Sequence, residues 1–188
     1  RILKLVPELK RLRLSSIDCA EIDDEFWDIL ENKRLMPHFH ISLQAGNNMI
    51  LKRMKRRHSR EMAIDFCKKV LSIRNDTTFG ADIIAGFPTE TEEMFQDSIK
   101  LVDECQLSHL HVFPYSPRDK TPASRMPQVD KGIIKSRAKR LRDKGYEKLT
   151  EILKNKIGKK ELILIENNKD NTSLGKDQHF IKVKVEGE

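Results

Sequence analysis

The sequence predicts an α/β protein in which parallel strands form a sheet or part of a barrel, followed by a small β unit. Apolar, strand-like runs alternate with amphipathic, helix-like stretches across residues 12–115, in the order β–α–β–α–β–α–β. Turn residues follow the strand-like runs at their carboxyl ends. After a long helical stretch, the pattern changes at Gly158 to two short strand-like runs.

Composition limits the class of protein. Hydrophobic residues make up 38% and charged residues 35% of the 188-residue chain, enough for one domain with a small appendage. Because no apolar run approaches the roughly 20 residues of a membrane span, we expect no membrane association. The chain begins at Arg1 without an initiator Met or a signal-peptide pattern, and is expected to come from the middle of a gene.

Charge and cysteine content favour a cytoplasmic protein with a polyanionic partner. A net charge of +7 favours nucleic acid above other partners. Cys19, Cys67 and Cys105 lie far apart in the sequence and form no CxxC pair. This pattern argues against a disulfide framework and favours a reducing cytoplasm.

Each strand of the first part is recognised as a short apolar run. The second run is followed by turn residues at 44–46 and the third at 86–88, and the fourth enters a Pro-rich loop at 114–127. Because the irregular loops gather at the carboxyl ends of parallel strands, ligand-binding residues are expected there. The strands are expected at residues 12–17, 38–43, 79–85 and 107–115.

Three helices are expected between these strands, because apolar residues recur there at helical spacing. Ser59 can cap the second helix, and Thr89 with Glu92 has the capping-box spacing for the third. The helices are expected at residues 21–33, 59–74 and 89–105.

A longer helix is expected at residues 130–157, because its apolar residues recur on one face and Gly158 can end it. Two further strands, joined by a polar loop, are expected at residues 161–166 and 180–185. They would begin a small antiparallel β domain. The chain is thus divided into residues 1–128, 129–158 and 159–188.

Gln44, at the carboxyl end of an expected strand, is the first candidate for ligand binding. A carboxamide offers a donor and an acceptor, which suits a ribose diol. Spacing alone leaves open that Gln44 only caps the strand.

Asp82 lies inside an otherwise apolar strand, where a carboxylate is costly to bury unless it is paired. A ligand hydroxyl or a basic side chain would pair with it, and a structural salt bridge is an equal alternative. The nearby Gly86 and Pro88 suit a close approach of the backbone to a flat ligand, or they only form the turn.

Two basic segments are candidates for binding anions. Residues 52–60 carry six basic residues in nine, which suits a solvated helix face, a cofactor carboxylate or nucleic-acid phosphates. Residues 131–160 carry 12 basic residues against three acids, and Tyr146 is their one aromatic residue. The second segment is therefore expected to be a solvated face or to contact RNA phosphates rather than bases.

Two His-x-His pairs, His38 with His40 and His109 with His111, would each place both rings on one face of a strand. No acidic or cysteine ligand accompanies either pair at a supporting spacing in the sequence. No metal site is therefore predicted.

Five segments together resemble the tRNA methylthiotransferases of the radical S-adenosylmethionine superfamily. The resemblance covers residues 12–158, extends into the terminal strands, and is strongest for the branch acting on N6-threonylcarbamoyladenosine. Five segments in the family's order are far more specific than any one of them. The segments are RLRLSSID (11–18), PHFHISLQAG (37–46), LKRMKRRHSRE (51–61), ADIIAGFPTETEEMF (81–95) and HVFPYSPRDKTPASRMPQV (111–129).

The resemblance implies a longer protein with three parts. They are an N-terminal domain with one iron–sulfur cluster, a radical barrel whose CxxxCxxC loop holds a second 4Fe–4S cluster, and a C-terminal TRAM module that binds tRNA. This chain would carry the last four barrel strands, the linking helix and the start of TRAM. The cluster ligands would lie upstream of Arg1, and an electron donor would reduce the clusters.

The resemblance also implies roles for individual residues. Gln44 and Asp82 would contact the ribose of S-adenosylmethionine, and Arg56 its methionine carboxylate. Arg118 would help to hold cofactor or substrate. Further cofactor contacts would be Ser15 and Ser16 lining the same cavity, and Gly86 and Phe87 bordering the adenine. Independently of the resemblance, the basic excess of residues 131–160 leads us to expect that phosphates of the tRNA backbone meet Lys135, Arg137, Lys139 and Arg140.

The implied reaction begins with reductive cleavage of S-adenosylmethionine to a 5′-deoxyadenosyl radical, which takes the hydrogen from C2 of the modified adenine. A methylthio group assembled on the other cluster then joins that carbon. The polar residues named above would be binders rather than acid–base catalysts, and this fragment alone is expected to be inactive. The alternatives are the isopentenyladenosine branch, the ribosomal-protein branch, and an RNA-binding fragment without catalytic activity.

Overall fold

A three-stranded parallel sheet forms the centre of the molecule in a computed structural model that describes residues 1–169 and 171–186. Its strands β1 (His38–Gln44), β2 (Thr78–Ala85) and β3 (Leu107–Pro114) lie in the order β1-β2-β3. The strands run parallel because a helix returns the chain after each of them. The predicted α/β class with a parallel sheet is confirmed.

Six α-helices surround or extend this sheet in the described part of the chain. Ser59 caps the long helix after β1 as predicted, its side chain accepting a hydrogen bond from the amide of Met62. The helices are α1 (Ile2–Leu5), α2 (Asp24–Ile29), α3 (Asn48–Arg53), α4 (Arg60–Ile73), α5 (Glu92–Glu104) and α6 (Lys131–Lys156), with 3₁₀ turns at Cys19–Glu21 and Pro122–Arg125.

The main core lies between one face of the sheet and the helices α2, α4, α5 and α6. Phe39 of β1 and Phe79 of β2 are fully buried there, together with Phe95 of α5. Because side chains alternate along a strand, their neighbours His40 and Asp82 lie on the opposite face. The sheet therefore presents an apolar face to the helices and a polar face to the site described below.

The predicted first strand at residues 12–17 is not a regular strand. This segment meets its neighbours only through isolated bridges, from Leu12 to Leu35 and from Ile17 to Ile41 of β1. Ser16 has a φ of 54°, which interrupts the extended conformation that a continuous ladder needs. The segment still lies along the edge of β1, because the Ile17 amide donates to the His40 carbonyl at 2.8 Å.

Two of the predicted helices differ in the structure, which also has short helices that were not predicted, α1 among them. The stretch 21–33 forms only α2, because the side chains of Asp18 and Asp23 each accept a backbone N–H and start two separate short turns. The helix α5 is capped by Thr91 rather than Thr89, whose φ of 67° excludes it from the helix start. The short helix α3 was not predicted.

The C-terminal part forms a separate antiparallel sheet, in the order β4-β5-β6. Its strands are β4 (Leu164–Lys169), β5 (Thr172–Lys176) and β6 (Lys182–Glu186). The two predicted strands correspond to β4 and β6, while β5 was assigned to the polar loop. Residue 170 of that loop, and residues 187 and 188 of the predicted β domain, lie outside the described residues.

The loop between β5 and β6 packs against the beginning of β1. The Phe180 ring stacks on His38 at a centroid distance of 5.5 Å, and the Arg13 guanidinium donates to the Asp177 carbonyl at 2.6 Å. The Asp177 carboxylate in turn accepts the amides of His179 and Ile181. This loop thus joins the small sheet to the parallel sheet. Among the helices that the structure describes, none is long and apolar enough to cross a membrane.

Candidate ligand site at the carboxyl ends of the parallel strands

Two adjoining cavities open at the carboxyl ends of β1, β2 and β3. The Gln44 cavity, about 450 Å³, is lined by Gln44, Asp82 and Arg118 among others. The Arg56 cavity, about 410 Å³, is lined by Gln44, Arg56 and Phe87 among others. Because Gln44 lines both, the structure brings the three residues predicted for one ligand to one end of the sheet.

Gln44 occupies a strained position at the end of β1. Its φ of 68° is unusual for a residue other than glycine, and the pairing of β1 with β2 becomes irregular between Ile41 and Gln44. Within the described residues, its carboxamide makes no hydrogen bond. The alternative that it caps the strand is therefore wrong, and its donor and acceptor remain available to a ligand.

Asp82 is paired with two histidines on the polar face of the sheet. His40 Nε2 lies 2.8 Å from Asp82 Oδ1, and His111 Nδ1 lies 3.2 Å from the same oxygen. These contacts explain how a carboxylate is tolerated inside a strand. They also join the two His-x-His motifs, which the sequence could not show because the acidic partner comes from the intervening strand.

The same three residues have the composition of a metal site. Their two imidazole nitrogens and one carboxylate oxygen lie within 4.8 Å of one another, so they could hold a divalent cation. In this arrangement they contact each other directly. A second such group, Glu161 with Asp177 and His179, surrounds the ammonium of Lys156, which already supplies the positive charge.

Arg56 lies in the loop between α3 and α4 rather than on a helix face. Its guanidinium donates to the Ser42 carbonyl at 2.9 Å and to the Asp18 carboxylate at 3.3 Å. Its Nε is buried without a hydrogen-bond partner among the described residues. In the same basic segment, Arg60 donates to the Gly46 carbonyl at 2.7 Å. Lys52, Lys55 and Arg57 are exposed, so only part of residues 52–60 is a solvated face.

Gly86 and Phe87 differ in their relation to the cavities. Phe87 is buried, lines the Arg56 cavity, and packs edge-on against Tyr115 at 5.4 Å. Gly86 lines neither cavity, because its amide donates to Glu90 at 2.9 Å. A side chain at Gly86 would also come within 2.5 Å of Ile134. The side of Gly86 on which a side chain would lie is packed against α6. A ligand contact of the Gly86 backbone stays a prediction.

Ser15 and Ser16 line a different cavity from the one predicted. This third space, the His111 cavity, has a volume of about 620 Å³ and continues along the polar face of the sheet towards the loop before β6. Asp82 lines both it and the Gln44 cavity. The two serines therefore share a cavity with Asp82 but not with Gln44.

Arg118 and Tyr115 border the Gln44 cavity with unused polar groups. Arg118 is exposed and has no ion-pair partner within residues 1–169 and 171–186. The Tyr115 hydroxyl is buried and likewise lacks a hydrogen-bond partner in the described part. Unused donors at a cavity wall favour a ligand that carries acceptors.

Arg137 does not belong to an exposed basic surface. It is 5% exposed, and its guanidinium donates to the buried Glu90 carboxylate at 2.9 Å. Burial raises the pKa of Glu90, while the charge of Arg137 opposes that rise. Because Arg137 is committed to this internal pair, the prediction that it contacts tRNA phosphates is wrong.

The other predicted residues of α6 are accessible to different degrees. Lys139 pairs with Asp143, and Arg140 donates to Glu92 at 2.8 Å. Lys135 is exposed and has no ion-pair partner among the residues described.

An exposed stripe of α6 was missed in part by the sequence analysis. At 100° per residue, its members fall within one 80° sector of the helix. The α6 stripe consists of Lys131, Lys135, Lys139, Arg142 and Tyr146. The helical spacing of three or four residues, followed from Lys135, could have identified this stripe. A count of the basic residues alone could not.

The three cysteines do not offer ligands for a cluster. Burial raises the pKa of Cys19 to about 12. Contact with the Cys105 thiol, together with burial, raises the pKa of Cys67 further. Among the described residues, no group of three potential ligand atoms close enough to hold a metal includes Cys19, Cys67 or Cys105.

Comparison with known proteins identifies similar sequences. Residues 2–102 match the family model of the radical SAM superfamily. The chain is 58% identical to the threonylcarbamoyladenosine tRNA methylthiotransferase MtaB of Rickettsia prowazekii, across 99% of this chain and 44% of that protein. It is 34% identical to a tRNA-2-methylthio-N(6)-dimethylallyladenosine synthase of Ehrlichia chaffeensis, across 93% of this chain and 41% of that protein.

A solved structure supports the fold alone. The radical SAM enzyme coproporphyrinogen III oxidase (HemN) of Escherichia coli superimposes with a TM-score of 0.58 at 19% identity, covering 82% of this chain and 36% of that one. The chain spans less than half the length of the curated relatives it matches, as the 44% coverage of the Rickettsia protein shows.

Proposed function

We propose that this chain, which belongs to the radical SAM superfamily, is the cofactor-binding part of a tRNA methylthiotransferase that acts on N6-threonylcarbamoyladenosine next to the anticodon. The observation that carries the proposal is the convergence of Gln44, Asp82 and Arg56 on adjoining cavities. The relatives named for this reaction, in Rickettsia prowazekii and Bacillus subtilis, support the choice of substrate.

The residues around Gln44 fit S-adenosylmethionine. Arg56 has a buried Nε without a partner in the described part of the chain, and an arginine suits the methionine carboxylate. Gln44 and Asp82 offer a carboxamide and a carboxylate to the ribose hydroxyls. The Phe87 ring adds apolar surface for the adenine.

When bound, S-adenosylmethionine and a 4Fe–4S cluster supply the radical chemistry. The residues of this chain bind and orient the cofactor at the strand ends. Because Cys19, Cys67 and Cys105 do not fit a cluster, we place its ligands in parts of the protein outside this chain. An electron-donor protein would reduce the cluster.

Arg118 is assigned to the substrate. The threonylcarbamoyl group carries a carboxylate, and Arg118 lines the Gln44 cavity without a carboxylate partner among the described residues. A guanidinium can bind a carboxylate through two parallel hydrogen bonds. This pairing would favour the threonylcarbamoyl base over an isopentenyl base, which has no charge.

The tRNA backbone is assigned to the exposed stripe of α6. Lys135 and Lys139 remain the proposed contacts, and Arg142 replaces Arg137, which is buried. Arg140 lies outside the stripe and pairs with Glu92, so it is not among the proposed contacts. Phosphate contacts from such a stripe provide affinity without reading sequence. Since tRNA is the substrate, we place the protein in the cytoplasm.

The nucleosides of cellular tRNA test the proposed reaction. Deleting the gene for the complete protein should remove 2-methylthio-N6-threonylcarbamoyladenosine and leave its unmethylthiolated precursor, as measured by mass spectrometry of hydrolysed tRNA. The wild-type gene should restore the modification, and an Arg56→Met gene should not. Loss of the methylthio group from isopentenyladenosine instead would assign the protein to the other branch.

A further inference from the structure

One oxygen of the Asp82 carboxylate faces histidines from both neighbouring strands, and it is hydrogen-bonded to one of them, His40. His40 Nε2 lies 2.8 Å from Oδ1, and His111 Nδ1 lies 3.2 Å from it. Because a carboxylate can only accept, His40 donates from Nε2. The second oxygen, Oδ2, accepts no hydrogen bond from the residues described.

Gly80 makes room for His40 to reach Asp82. His40 and Gly80 are register partners in β1 and β2. A Cβ at Gly80 would lie 2.7 Å from His40 Nδ1 and 3.0 Å from the His109 carbonyl oxygen. Any side chain at this position would therefore displace the imidazole. A glycine inside a strand weakens the strand. The space that the His40 ring needs explains why a glycine stands at position 80.

The hydrogen bond to His40 restricts the rotation of the Asp82 side chain before any ligand binds. Asp82 lines the Gln44 cavity, and 28% of its side chain is exposed. A carboxylate that is already held in one orientation loses less conformational entropy on binding than a mobile one. The unused oxygen is thereby prepared to accept a hydrogen bond.

We propose that His40 is a positioning residue that, through Oδ1 of Asp82, orients Oδ2 to accept a hydrogen bond from a ribose hydroxyl of the cofactor. His111 Nδ1 lies 3.2 Å from the same oxygen on the other side, without a hydrogen bond to it in the described structure. The inference rests on the proposed function, because it takes Asp82 to be a ribose contact. It adds a residue that never touches the ligand.

The test measures the affinity of the complete protein, reconstituted with its clusters, for S-adenosylhomocysteine and for the 2′,3′-dideoxy form of that compound. His40→Leu should weaken binding of S-adenosylhomocysteine about tenfold, the size expected for one hydrogen bond to a charged group. It should leave the affinity for the dideoxy form unchanged. His40→Gln, which keeps an N–H near the position of Nε2, should recover most of the loss.

Gly80→Ala and Asp82→Asn complete the experiment. Gly80→Ala retains His40 but displaces its ring, so it should reproduce the ribose-dependent loss. Iron content and far-UV circular dichroism establish that each variant is folded. If His40→Leu weakens both ligands equally, or His40→Gln binds no better than His40→Leu, the inference is wrong. If Asp82→Asn leaves both affinities unchanged, the ribose role in the proposed function is itself wrong.

Discussion

Arg56 is the residue whose role can be separated most cleanly from that of its neighbours. Its buried Nε, unpaired among the described residues, distinguishes it from Arg57, which is largely exposed and pairs with Glu21. Arg56→Met should weaken S-adenosylhomocysteine binding by roughly 10- to 100-fold, since a hydrogen bond to a charged group contributes about 1.5–3 kcal/mol. Titration of the complete protein measures this.

Arg57→Met is the matched control and should leave that affinity unchanged. Binding of 5′-methylthioadenosine, which lacks the carboxylate, should be the same in wild type and Arg56→Met. An equal loss for both ligands would contradict the assignment of Arg56 to the carboxylate.

The buried pair of Arg137 and Glu90 predicts an effect on stability. Arg137→Met leaves a buried carboxylate without its partner, so it should lower the free energy of unfolding by about 3–5 kcal/mol. Arg140→Met, which removes a partly exposed pair with Glu92, should have a much smaller effect. Urea denaturation compares the two variants, and equal losses would contradict the internal role of Arg137.

The contact between the β5–β6 loop and β1 predicts a dependence of stability on pH. Burial lowers the pKa of His38 to about 3 and that of His109 to about 4. The unfolded chain binds these protons near pH 6.5, whereas the native state does not, so stability falls as pH drops below that value. For His38 the loss between pH 7 and pH 5 is roughly 2 kcal/mol.

His38→Asn should remove that share of the pH dependence. Urea denaturation at pH 7 and pH 5, with the wild-type chain in the same buffers, measures the change. If the free energy of unfolding differs between pH 7 and pH 5 by the same amount in the variant as in the wild type, His38 is not the neutral, buried histidine of this prediction.

The stripe on α6 predicts how tRNA affinity depends on salt. Replacing Lys135 and Arg142 with Gln should flatten the slope of log affinity against log salt by about 0.7–0.9 for each lost phosphate contact. The choice of adenosine should not change, because the stripe offers one exposed aromatic ring, Tyr146. Filter binding across a salt series measures the slope.

Lys144→Gln with Lys148→Gln is the control for the same change of charge. Both lysines pair with Asp103, away from the stripe, and should contribute little to binding. If the two double variants flatten the slope equally, general charge rather than the α6 stripe determines the affinity.

At the scale of the whole molecule, the sequence predicted the elements that have strong local signals. The apolar runs of β1 and β2 and the Ser59 cap each depend on neighbouring residues, and all three are confirmed. These local signals were sufficient to predict the fold class and the position of Gln44 at the end of a strand. The strand β5 was missed because Thr172–Lys176 has the composition of a loop, and it forms only by pairing between β4 and β6.

Contacts between distant segments could not be predicted in this way. Asp82 meets His40 and His111 across three strands, and no spacing along the chain encodes that register. The burial of Arg137 depends on Glu90, which lies 47 residues earlier, so charge counting placed Arg137 on the surface. Such pairings appear only when the sheet and α6 are assembled.

We expect one molecule of S-adenosylmethionine to span both cavities beside Gln44. A crystal structure of the complete protein with S-adenosylhomocysteine tests this expectation. The ribose hydroxyls should lie within hydrogen-bond distance of Asp82 and Gln44, and the carboxylate within that distance of Arg56, about 2.7–3.2 Å between heavy atoms. The ligand bound in the His111 cavity, or at the strand ends without contact to Gln44, would contradict it.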